Sequence, residues 1–212
     1  MRLRLLFGIF AVTLASWSAS AQNLVINGGF STDASSWTSF GSILPADGAR
    51  AWSADDVASN PSSGSALLTA STAGALIGLK QCIAVTAGVT YDTYARIKFP
   101  TGQTGGQARA VLELAFFSDA SCATSLSLAD GEGAVVGTAY ALDDVVWPGI
   151  PGNAGPGTEV PVVAPVGAAS AELRIYVEPL AGASGSHSAK FDQVVLHDAS
   201  TTPIALITFE AE

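Results

Sequence analysis

Three stretches of this chain alternate apolar and polar side chains with a period of two, and none of comparable length shows the 3.6-residue period of an amphipathic helix. In Val89–Phe99 one face reads Val89, Tyr91, Thr93, Ala95, Ile97 and Phe99, and the other Asp92, Tyr94, Arg96 and Lys98. Gln107–Phe117 sets Ala108, Ala110, Leu112, Leu114 and Phe116 against Gln107, Arg109, Val111 and Glu113. Ala169–Val177 opposes Ala171, Leu173, Ile175 and Val177 to Glu172, Arg174 and Tyr176, with Glu178 next on the polar side. Successive strand side chains point to opposite faces, so each segment has one face to bury. Further strands are expected at Asn23–Ile26, Trp37–Phe40, Ser65–Ala70, Leu76–Val85, Glu159–Val163 and Ser188–His197, with the turn-rich PGIPGNAGPG of Pro148–Gly157 as a loop. One-faced strands this closely spaced pack as two antiparallel sheets, whereas a parallel sheet needs crossover helices. The fold class read from the chain is all-β, a two-sheet antiparallel β-sandwich.

The beginning of the chain reads differently. Arg2 and Arg4, the apolar run LLFGIFAVTLA and the small residues Ser18-Ala19-Ser20-Ala21 predict a secretory signal peptide over 1–21, cleaved after Ala21. No later apolar run is long enough for a membrane span. The sandwich domain is expected over 22–200. Residues 201–212 form a tail or an extra edge strand, since PIALITF is rich in strand formers. This makes the protein secreted or periplasmic.

Of 9 Lys and Arg against 18 Asp and Glu, two arginines lie in that leader, so the remainder carries a net charge of −11. Phosphate backbones repel such a chain, and no basic stripe offsets it, which excludes nucleic acid as a partner. Only two cysteines are present, Cys82 and Cys122. In an oxidising compartment an isolated pair reads most simply as a disulfide; a metal pair or a catalytic thiol lacks a nearby histidine or activating base.

The opening NLVINGGFSTDASSW (Asn23–Trp37) resembles the start of the galactose-binding-like jelly rolls that include many carbohydrate-binding modules. PSSGSALLTAS, GVTYDTYARIKFP and KFDQVVLHD continue the resemblance in order, up to Asp198. It implies a jelly-roll sandwich. It also implies a structural calcium where the N-terminal turn meets the last strand, held by carbonyls, an acid just after Phe30 and the first acid of the closing strand. Asp192 matches that closing aspartate, but Gln193 follows it and Ser31 stands where the other acid is expected. Calcium therefore depends on Asp33, two residues further on, as a substitute.

The residues carry little sign of catalysis. Gly28-Gly29 lacks the G-x-G-x-x-G spacing of a dinucleotide turn and reads as a tight turn. His187 and His197 lie near no nucleophile motif, and the adjacent pairs Asp55-Asp56 and Asp143-Asp144 would point to opposite faces of a strand. Two acids from different strands could still flank a sugar, which leaves a glycan-active enzyme as the weakest reading. The ligand-binding candidates are the aromatic and polar residues that suit stacking on a pyranose and hydrogen bonding to its hydroxyls: Trp52, Tyr94, Arg96, Arg109, Glu113, Trp147, Arg174 and Tyr176. Lys98 and Glu178 share those polar faces. If their strands share a sheet, these residues line one concave surface. Trp37 and Tyr91 are expected in the core. Two non-catalytic functions follow: binding of a glycan on a sheet face, or a structural or protein-interaction role in the cell envelope with the same face merely solvated.

Overall fold

The computed structural model describes residues 22–104, 107–126, 131–132, 149–151 and 161–199. Among the described residues eleven strands run in chain order: β1 (Thr38–Gly41), β2 (Gly48–Ser53), β3 (Ser65–Ala70), β4 (Ile77–Ala84), β5 (Thr90–Lys98), β6 (Ala108–Phe117), β7 (Gly131–Glu132), β8 (Gly149–Pro151), β9 (Val162–Val163), β10 (Ser170–Pro179) and β11 (His187–Asp198). They build two antiparallel sheets. The five-stranded sheet has the order β1-β4-β10-β6-β7, and the other has the order β2-β3-β11-β5-β8, with β9 also on β5. From β3 to β6, and again from β9 to β11, successive strands pass from one layer to the other, as in a jelly roll. The expected sandwich is the observed fold.

The apolar faces read from the alternation meet between the sheets. Ile77, Leu112, Leu114, Phe116, Leu173 and Ile175 of one layer and Leu68, Ile97, Phe191 and Leu196 of the other are fully buried. Tyr91 joins them, its hydroxyl accepting the Thr86 N–H at 2.8 Å. Trp37 is buried, stacks on Phe30 at 5.5 Å and donates its indole N–H to the Asn27 carbonyl. Arg50 closes one edge of the sandwich from β2. Its guanidinium donates to the carbonyls of Phe40, Ser42 and Gly78 across the gap, and burial lowers its pKa.

Three expectations are corrected. Asn23–Ile26 is a turn-bound segment and not a strand. The Asn23 amide group takes Val25 N, Leu196 N and the Val194 carbonyl, and Gln81 takes Ile26 N, so side chains satisfy the backbone groups a ladder would use. Gly48–Ser53 forms β2, a strand absent from those expected. Within the expected loop Pro148–Gly157, Gly149–Pro151 pairs with β5. Residues 1–21, Trp147, Asp143-Asp144 and 201–212 lie outside the described residues.

Cys82 and Cys122 form a disulfide. It fastens the turn after β6 to β4, two strands away. The turn is organised by the Asp119 carboxylate, which accepts the N–H groups of Ser121, Ala123 and Thr124 and the Ser121 hydroxyl. Those bonds, the Ser121 hydroxyl foremost, hold its pKa well below the usual carboxylate range.

Candidate functional site

The candidate residues separate onto two faces. Tyr94 and Arg96 lie on β5, whereas Arg109 and Glu113 lie on β6 and Arg174 and Tyr176 on β10 of the opposite sheet. Both sets point away from the core, so they face opposite sides of the molecule. The single concave surface joining them is therefore corrected. Period-two alternation assigns a residue to a face of its own strand but not to a sheet.

On the five-stranded sheet the register puts Lys80, Arg174 and Glu113 in one row across β4, β10 and β6. Arg174 donates through Nη1 to Glu113 Oε1 and through Nε to Glu172 Oε1, the latter at 2.6 Å. Lys80 reaches Glu172 Oε2 at 2.7 Å, and the Tyr176 hydroxyl donates to Glu113 Oε2 at 3.0 Å. Glu113 and Glu172 are buried, and two cations balance these two acids within the cluster, as burial of charge demands. Phe40 completes it from β1: the Arg174 guanidinium sits 4.8 Å over its ring, and Tyr176 packs beside it at 5.4 Å. Gly78 lies between Phe40 and Tyr176 in the register, and a Cβ there would come within 2.5 Å of Tyr176 Cβ, so glycine lets the two rings meet. Phe40 and Lys80 are partly exposed, and the Arg174 side chain keeps 16% of its surface open. Arg109 pairs with Glu178 further along the same face.

On the other sheet the Arg96 guanidinium lies 5.4 Å over the Tyr94 ring. Lys98 is buried, its ammonium 2.5 Å from Asp55. Trp52 belongs to neither face. It sits on the edge strand β2, 38% exposed, packed over Gly64 with its indole N–H on the Phe30 carbonyl at 2.7 Å. Sequence reasoning missed Phe40, Lys80 and Glu172 as members of the cluster. Glu172 stood on the polar face of its strand, but β1 was too short to show which side Phe40 takes.

The two carboxylates expected to hold calcium are each engaged by hydrogen bonds from nearby residues. Asp33 lies in an exposed turn, where the Ser35 side chain and then the Ser35 N–H, the latter at 2.8 Å, hold its pKa down. Asp192 is 1% exposed, and both its oxygens already accept backbone N–H groups, from Val57 at 3.0 Å and Gln193 at 2.6 Å. The carboxyl that adjoins it is Asp56, not Asp33. Among the described residues no three His, Cys, Asp or Glu side chains group to hold a metal.

Burial, with a smaller push from Asp56, raises the Asp192 pKa to about 6. In the unfolded chain this carboxyl titrates near 3.9. The folded state then binds more protons between about pH 4 and 6, and stability falls as the pH rises through that window, by at most about 3 kcal/mol. Asp55 and Asp119 are shifted down and act only at lower pH. The expected result is a melting temperature that drops from pH 4.5 to 6.5 in the wild type and a flatter profile in Asp192→Asn, read by circular dichroism.

No protein-family model and no curated protein matches this chain. Similarity appears among solved structures. The enzymatically active domain of bacteriophage CBA120 tailspike protein 4 superposes with TM-score 0.55 at 16% identity, over 83% of this chain and 21% of that one. The Clostridium thermocellum endo-1,4-beta-D-xylanase 10B N-terminal modules give 0.54 at 14%, over 88% of this chain and 30% of that one. A xylan-binding domain of carbohydrate-binding module family 22 gives 0.51 at 15%, over 85% and 98%. This is the β-sandwich fold of carbohydrate-binding modules. The chain spans only a minor part of the tailspike and xylanase chains, and nearly all of the xylan-binding domain. At these identities the module fold is what is shared, and its ligands are a separate matter.

Proposed function

We propose that the protein is a non-catalytic glycan-binding module whose ligand lies on the outer face of the five-stranded sheet. The observation that carries this is the Phe40–Arg174–Tyr176 cluster. A half-exposed ring is held rigid beside a guanidinium and an ammonium whose partners are already fixed. A ring stacks on the apolar face of a pyranose, and Lys80 and Arg174 donate to its hydroxyls. Structural neighbours described as xylan-binding and carbohydrate-binding support the reading. Arg109, Glu113 and Tyr176 serve the same face, Glu113 and Tyr176 by positioning Arg174. Tyr94, Arg96 and Trp52 fall outside it. Glu113 and Glu172 are each engaged by Arg174 and a second donor, an arrangement that holds shape and leaves no carboxyl open for proton transfer to a substrate. The disulfide supports work outside the reducing cytosol.

The test is affinity electrophoresis and calorimetry against a polysaccharide panel, including xylans and galactans. Wild type should bind at least one, Phe40→Ala should lose at least tenfold in affinity, and Lys80→Gln should lose less. Both variants should retain the wild-type melting temperature within a few degrees. No reducing ends should be released. Absence of binding to every polysaccharide would sink the reading and leave the structural or interaction role in front.

A further inference from the structure

The opposite face of the sandwich carries a feature that the cluster above does not explain. A pocket of about 400 Å³ opens on the outer side of the six-stranded sheet, its lining including Leu67, Pro100, Gln103, Ser186, Ser188 and Lys190. Its floor comes from paired strands: Lys190 stands opposite Leu67, and Ser188 opposite Thr69, with the Thr69 and Ser188 hydroxyls 2.8 Å apart. Its wall is the turn after β5, and the Gln103 side chain locks that turn in place. Gln103 Oε1 accepts Ser188 N–H at 2.6 Å, while Nε2 donates to the carbonyls of Ser188 and Pro100, both at 2.9 Å. The cavity is therefore formed before any ligand arrives.

The cation is held as firmly. Lys190 Nζ lies 2.6 Å from Asp55 Oδ2, and Lys98 Nζ reaches the same oxygen. One carboxylate oxygen thus anchors two ammonium groups. Of the three N–H donors on Lys190, one goes to Asp55, and its side chain lines the pocket. Around it lie hydroxyls and two apolar surfaces, Leu67 and Pro100, and none of the lining residues is aromatic. A neutral sugar would find no ring to stack on. A sugar bearing a carboxylate would find an ammonium for its charge, hydroxyl partners for its own hydroxyls, and Leu67 and Pro100 for its C–H face.

We infer that this pocket is a second carbohydrate site, selective for uronic acid units of an acidic polysaccharide, with Lys190 receiving the carboxylate. The inference rests on the glycan-binding reading for the class of ligand, but it places that ligand on the other sheet. Two faces with different chemistry would let one copy hold a neutral and an acidic chain together.

The experiment is an amide NMR titration of the protein with oligogalacturonate and oligoglucuronate, beside neutral xylo- and galacto-oligosaccharides and sodium sulfate. Uronate should move the signals of Leu67, Gln103, Ser186 and Ser188, and its affinity should fall as salt rises. Lys190→Gln should weaken uronate binding at least tenfold. Ser186→Trp, which adds bulk to the pocket lining and leaves the Asp55 contacts alone, should do the same, while Phe40→Ala should leave uronate binding unchanged. Three results would overturn the proposal: signals at the pocket that do not move, neutral oligosaccharides or sulfate that bind it equally well, or Lys190→Gln and Ser186→Trp variants that bind uronate like wild type. If Phe40→Ala alone abolishes uronate binding, the acidic sugar sits on the five-stranded face; the pocket proposal then fails while glycan binding stands.

Discussion

Replacing both cysteines, as Cys82→Ser with Cys122→Ser, should lower stability by about 4 kcal/mol. The bridge closes a loop across a sequence separation of 40, and freeing it returns closure entropy to the unfolded chain. For a domain of this size that corresponds to a melting temperature lower by about 8–16 °C. The effect acts mainly on the unfolded ensemble, so the folded layers should stay as they are and the far-ultraviolet spectrum should hardly change. Cys82 is exposed on β4, so a reductant should reproduce the shift in the wild type and do nothing to the double variant. Urea unfolding of the two proteins checks this. A loss below about 1 kcal/mol would mean that the native bridge gives back in strain most of what loop closure contributes. The bridge spans the end of β10 and lies on the same side of the sheet as Glu172, so it also braces the proposed glycan face.

Much of this architecture could be read in the chain, for a physical reason. β5, β6 and β10 are long, and each has one face without a misplaced residue, so their inward sets were evident before any coordinates. β2, with the sequence GARAWS, is short and mostly small residues. Its identity comes from pairing with β3 and from Arg50 reaching across the sandwich, neither of which leaves a local pattern. Asn23–Ile26 misled in the other direction: its composition suits a strand, but Asn23 and Gln81 supply the bonds a neighbouring strand would have given. The cysteine pairing was legible from count alone. The site was only half legible. Arg174, Glu113 and Tyr176 were recognised as polar-face residues and do come together, yet Tyr94 and Arg96 were grouped with them because alternation carries no information about which sheet a strand joins. The Lys98–Asp55–Lys190 arrangement was invisible for a related reason, since Asp55 and Lys190 are 135 positions apart.

Phe30→Ala should cost about 3–5 kcal/mol, comparable to the disulfide and concentrated at the opposite end of the causal chain, in the folded state. The Phe30 side chain is fully buried and stacks on Trp37, its carbonyl receives the Trp52 indole, and its N–H closes on Asn27. Both Asn27 (φ 53°) and Phe30 (φ 43°) adopt left-handed backbone, so the NGGF turn is bent twice to bring this one ring inward. Alanine at that φ keeps the same backbone penalty and removes the ring that offsets it. The variant should melt about 6–20 °C lower. Trp37 loses its stacking partner and Trp52 its fixed acceptor geometry, so tryptophan emission should shift to the red in the native state. Phe30→Leu fills most of the space and should cost no more than about 1.5 kcal/mol with little spectral change. If Phe30→Ala and Phe30→Leu melt together, the turn is held by its hydrogen bonds and not by the buried ring. The expected order, wild type above Leu and Leu well above Ala, would establish that the opening turn is anchored by packing. It would also make the exposure of Trp52 a consequence of that anchor, because β2 is tied to the turn through the Phe30 carbonyl.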